Sequence, residues 1–134
     1  MLPLVREGLD TIVVAPRSSG DLVPMDVVLY EREGAGGEAE YVLHRVVSRK
    51  GPGIVALGDN CTWLEEVPAA QVRGVLVGLY RTGAGTNFLL TARYRAYLAL
   101  WCRPWRVRVA LLRALRRLRH RAGGAGATHG RPSR

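Results

Sequence analysis

From Leu9 to Tyr80 the chain alternates short apolar runs with turn-forming residues. Runs at 11–15, 27–30, 41–47, 54–57 and 72–80 are rich in Val, Ile, Leu or Tyr, and Gly, Pro, Asp or Ser bounds them. That pattern predicts strands rather than helices. Gly51-Pro52-Gly53 between two of the runs predicts a tight hairpin connection. After Gly85 the period changes. Tyr94, Tyr97, Leu98 and Trp101 fall on one helical stripe, and Pro104 should break or kink that helix because it lacks an N–H. A second helix is predicted over 105–119, with Val107, Val109, Leu111, Leu112, Leu115 and Leu118 on a broad arc and Arg106, Arg113 and Arg117 opposite. No internal repeat is present. The expected fold is mainly β: a small antiparallel β domain over 1–85, a basic amphipathic helical appendage over 86–121, and a disordered tail over 122–134 with nothing to bury.

Charge sharpens that division. All eleven acids lie between Glu7 and Glu66, whereas the stretch from Arg93 to Arg134 holds twelve Arg and no acid. Residues 1–92 carry eight Lys and Arg and so a formal charge of −3, against +12 for the remainder. A body of that sign argues against a nucleic-acid-binding core, and the basic tail is the part suited to a polyanion. Cys61 and Cys102 are far apart with no CxxC spacing, so two free thiols are expected, with no disulfide, metal site or cofactor. No stretch reaches the ~20 apolar residues of a membrane-spanning helix, and the first residues lack the basic start and apolar core of a signal peptide. The expected location is the cytoplasm or the periphery of a membrane.

Few residues offer chemistry. In "YVLHRVV", strand alternation puts His44 on one face with Val42 and Val46, and Tyr41, Leu43, Arg45 and Val47 on the other. An imidazole there can act as a base near neutral pH if something holds its tautomer. In "ALGDNCTW", Gly58-Asp59-Asn60 reads either as a turn leaving a strand or as a carboxylate delivered by a strand end toward His44. Asp26 stands where a predicted strand starts. Ser18 and Ser19 sit in a polar turn, and Cys61, two residues after Asp59, carries no sign of a lowered pKa.

Taken in order, these pieces form a pattern. Met-x-Pro ("MLP") precedes Arg-Glu-Gly and a strand; "PMDVVLY", "LHRVV", "GDN" and "QVRGVLVGLY" follow. Over roughly residues 1–81 the chain resembles the catalytic domain of type I signal peptidases and their LexA-like relatives, with Met25 in place of the usual Gly of the Gly-Asp strand. The resemblance implies a β-rich serine-peptidase fold whose nucleophile stands in a Ser-Met-x-Pro motif. It also implies His44 as base, since the one lysine, Lys50, lies in a turn outside the matching motifs. Asp59 becomes its orienting carboxylate, Asp26 and Asn60 become supporting groups, and Met1 and Pro3 fall beside the nucleophile. The nucleophilic Ser would stand immediately before Met1. Either an internal Met has been taken as the start of a longer chain, which is favoured, or the chain is a non-catalytic relative.

The expected partner is a peptide or protein substrate, cut by acyl-enzyme chemistry. The alternative is a non-catalytic peptide-binding or membrane-docking relative. The Tyr94 stripe is expected to pack on the β domain, and the Arg-bearing second helix suits an anionic membrane surface better than nucleic acid.

Overall fold

A computed structural model of the chain describes residues 4–124. Six antiparallel strands make one sheet in the order β1-β6-β2-β3-β4-β5. They are β1 (Thr11–Ala15), β2 (Val27–Glu33), β3 (Ala39–Lys50), β4 (Gly53–Leu57), β5 (Glu65–Val67) and β6 (Val72–Tyr80). The apolar runs at 11–15 and 72–80 become β1 and β6, and the others grow at one or both ends. The hairpin at Gly51 forms with Lys50 opposite Gly53, and Gly51 adopts the left-handed conformation (φ 56°) that glycine tolerates without strain. β5 was not expected, because "EEV" is short and has one apolar residue.

Side-chain alternation divides the core between the two faces of the sheet. One face gathers Leu22, Val28, Tyr30, Val46, Ile54, Ala56, Val67 and Val75. The other gathers Leu4, Val27, Leu76 and Leu79, with Leu43, Phe88, Tyr94 and Tyr97 packed against them. Both Tyr of the predicted helical stripe therefore sit on the β structure. Their helix α1 (Ala92–Tyr97) is capped by Thr91, whose Oγ1 accepts from the Tyr94 N–H at 3.2 Å.

A single π-type turn, Leu98–Cys102, follows α1, with the Arg103 N–H reaching the Leu98 carbonyl at 2.8 Å. The widened turn accommodates Pro104, which has no N–H to continue the ladder. The second helix, α2, runs over Trp105–Gly124, so residues 122–124 of the expected disordered tail are helical. The rest of that tail, 125–134, lies outside the described residues, as do Met1 and Pro3. Among the described residues no helix is long and apolar enough to cross a membrane.

Candidate functional site

His44 stands on β3 directly opposite Val28 of β2. Tyr30 lies on the same face, a diagonal neighbour, with its ring stacked at 5.9 Å between centroids and its hydroxyl 2.8 Å from His44 Nδ1. The same hydroxyl donates to Glu65 Oε2 from β5. Glu65 Oε1 meanwhile accepts from Arg32 at 2.7 Å and from the Trp63 indole at 3.3 Å. Burial pushes the Glu65 carboxyl up, but the bond from Tyr30 and the neighbouring charges outweigh it and hold Glu65 below its ordinary value, ionised.

That ionisation fixes the imidazole tautomer by counting protons. Tyr30 has one hydroxyl proton and gives it to the carboxylate, so its oxygen accepts from His44, and Nδ1 carries the ring proton. Nε2 is left with a free lone pair. Burial lowers the His44 pKa below 6.5, against the raising influence of Glu65, so the ring is neutral at pH 7. Cys61 Sγ lies 3.6 Å from Nε2, within reach of an S–H···N bond. Burial raises the Cys61 pKa, which keeps the sulfur a thiol rather than a thiolate. Gly58 makes this meeting possible: a Cβ there would lie 2.4 Å from His44 Nε2 and 2.6 Å from Cys61 Sγ.

Asp59 does not orient His44. It is fully buried on the opposite face, gripped by both arms of Arg45, with Nε to Oδ1 at 2.9 Å and Nη2 to Oδ2 at 2.8 Å. Tyr97 adds its hydroxyl at 2.7 Å, and the buried Arg108 approaches Oδ1 at 3.4 Å. Burial alone would raise the Asp59 carboxyl, but the Arg45 bond and the surrounding donors hold it below its ordinary value.

A β-bulge in β3 keeps Asp59 from His44. Lys50 pairs with Gly53, Arg49 with Ile54 and Ser48 with Val55, a register that would set His44 opposite Asp59 if continued. It shifts between Val46 and Ser48, so that Val46 meets Ala56 and Arg45 meets Leu57. A slip of one residue exchanges faces. Gly58 comes to His44, and Asp59 goes to Arg45.

The two supporting groups are also occupied elsewhere. Asp26 Oδ2 accepts from the Val23 N–H at 3.0 Å and closes the turn into β2. Asn60 is exposed, and its carbonyl accepts from Arg116 of α2 at 3.1 Å. Sequence reasoning missed Tyr30 and Glu65. The only signal for Tyr30 was its parity with Val28 on β2, and Glu65 sits on the strand that went unread. Among the described residues no group of three His, Cys, Asp or Glu side chains is placed to hold a metal. The chain matches no protein-family model, no curated protein and no solved structure.

Proposed function

We propose that the chain is the body of a signal peptidase-type serine endopeptidase, with the signal peptidase/LexA-like fold and His44 as general base. The observation that carries this reading is the hydrogen-bonded order Glu65, Tyr30, His44. It presents Nε2 neutral and unprotonated beside a residue, Cys61, that already brings an X–H group to that nitrogen. The motif order along the chain supports it.

In this reading a Ser preceding Met1 supplies the hydroxyl. Its oxygen attacks the substrate carbonyl carbon while Nε2 takes the proton, and Nε2 then returns it to the leaving amine. Water, deprotonated by the same nitrogen, then attacks the acyl carbon; the bond to the Ser oxygen breaks and Nε2 returns the proton to that oxygen. Tyr30 and Glu65 hold the ring and stabilise the imidazolium that forms between these steps, the role that the sequence assigned to Asp59.

The test is peptide cleavage by the chain extended with Ser before Met1. His44→Ala should lower kcat by about 10²–10⁴-fold with the fold intact, whereas Cys61→Ala should cleave as before. Loss of cleavage in Cys61→Ala instead would make the thiol the nucleophile. Peptide binding without cleavage, unchanged in His44→Ala, would return the chain to the non-catalytic alternative.

A further inference from the structure

The apolar arc of α2 is divided by the structure into two faces. Val109 is buried, Leu112 and Trp105 are half-buried, and together with the buried Arg108 they turn the helix toward the body. Val107, Leu111 and Leu118 recur at spacings of four and seven on another side, with Leu115 beside them. These four are 68%, 48%, 60% and 43% exposed. Docking against the body thus uses one apolar face and leaves a second uncovered.

The charges around the uncovered stripe are of one sign. Arg103, Arg106, Arg117 and Arg119 are exposed, and no acid occurs anywhere between Arg93 and Arg134. Arg113 and Arg116, by contrast, bond to the Thr62 carbonyl at 2.8 Å and the Asn60 carbonyl at 3.1 Å. They tie the helix to the loop between β4 and β5, which leaves the stripe facing outward.

We infer that this face of α2 docks on an anionic lipid bilayer, with Val107, Leu111, Leu115 and Leu118 entering the headgroup–acyl boundary and the flanking Arg meeting lipid phosphates. A second copy packing its own α2 against this face would bring Arg rows against Arg rows with no acid between them. A nucleic acid would satisfy the Arg but leave the Leu stripe without an apolar partner. A bilayer surface bearing negative headgroups over hydrocarbon matches both features in the same geometry. The inference does not depend on the peptidase reading.

Sedimentation of the full chain with phosphatidylcholine vesicles, with and without phosphatidylglycerol, tests it. The chain should pellet with the phosphatidylglycerol vesicles and largely remain in solution with phosphatidylcholine alone. The double variant Leu111→Ser/Leu118→Ser should lower partitioning at least about tenfold. Arg117→Gln/Arg119→Gln should weaken it several-fold and flatten its salt dependence. Leu90→Ser, at a residue 78% exposed but outside α2, should change nothing. Circular dichroism checks that each variant keeps its helix. Partitioning that the Leu variant leaves unchanged would overturn the inference, leaving only diffuse charge attraction. Failure to pellet with either vesicle would overturn it too, and tighter binding to RNA or an acidic protein would then name a different occupant.

Discussion

Adjacent residues of β3 serve opposite faces of the sheet, and the two faces are built differently. Arg45 is held in a closed, buried cluster: Asp59 is fully buried, both its oxygens are taken, and Tyr97 and Arg108 complete the enclosure. His44 is only half-buried, and one ring nitrogen is committed while the other faces a thiol. A buried charge cluster with every carboxylate lone pair engaged specifies structure. A half-open imidazole with one free lone pair is equipped for proton transfer. Sequence proximity and motif order gave both carboxylate and imidazole to one site, and the bulge between Val46 and Ser48 separated them.

The sharpest way to break this comparison is Asp59→Asn. It leaves Arg45 and Arg108 buried without their counter-charge, and Arg108 Nε already lacks a hydrogen-bond partner among the described residues. The expected loss is about 3–5 kcal/mol of stability, read as a fall in the urea midpoint. If Asp59 instead served His44, the variant would keep its stability and lose only catalysis.

Next in size are the groups behind His44. Tyr30→Phe and Glu65→Gln should each lower kcat of the Ser-extended chain about 10–100-fold, with KM little changed, because they act on the base rather than on bound peptide. A readout free of catalysis is the His44 titration followed by NMR. Glu65 raises the His44 pKa more than Asp59 does. Glu65→Gln should therefore move the titration further to acid, and by more than any Asp59 variant that remains folded. The folded pKa already lies below 6.5. Between that value and 6.5 the unfolded chain binds a proton at this site and the folded chain does not. Stability should therefore fall as pH is lowered through this window and be unaffected by His44 above it. The acid limb of kcat/KM should likewise lie below 6.5 in the wild-type sequence and lower still in Glu65→Gln.

How much of this was legible follows from the range of each interaction. Alternation within "YVLHRVV" and the Gly51 hairpin are local, and they placed β3 and β4 and put His44 and Arg45 on opposite faces. The bulge is not local: nothing in "HRVVSRK" distinguishes an uninterrupted register from one shifted at Val47, so the sequence could not say which face Asp59 would join. Glu65 escaped for a related reason. A strand of three residues with two acids has no periodicity to read, and its pairing with β4 exists only in the assembled sheet. Tyr94 and Tyr97 were found by helical spacing, but the Tyr97 bond to Asp59 spans 38 residues of chain and depends on the fold.

The smallest expected effect separates the faces most cleanly. Met25 has φ 83°, the one non-glycine residue with positive φ among those described, at the position where the resembled motif carries Gly. A side chain held there costs roughly 1–2 kcal/mol, whereas Gly loses about 0.5–1 kcal/mol more chain entropy on folding. Met25→Gly should therefore stabilise the protein by about 0.5–1 kcal/mol, and Met25→Ala, which keeps a Cβ, should not. The gain belongs to the Asp59 face: the Met25 carbonyl accepts from Arg45 Nη1 at 2.8 Å, and its N–H donates to Val46 at 2.9 Å. Thermal denaturation should record an upward shift of a few degrees at most, with the His44 titration unmoved. A titration that moves with Met25→Gly would mean that the two faces are coupled through β3, and that the bulge transmits strain from the Arg45 cluster to the imidazole instead of insulating it.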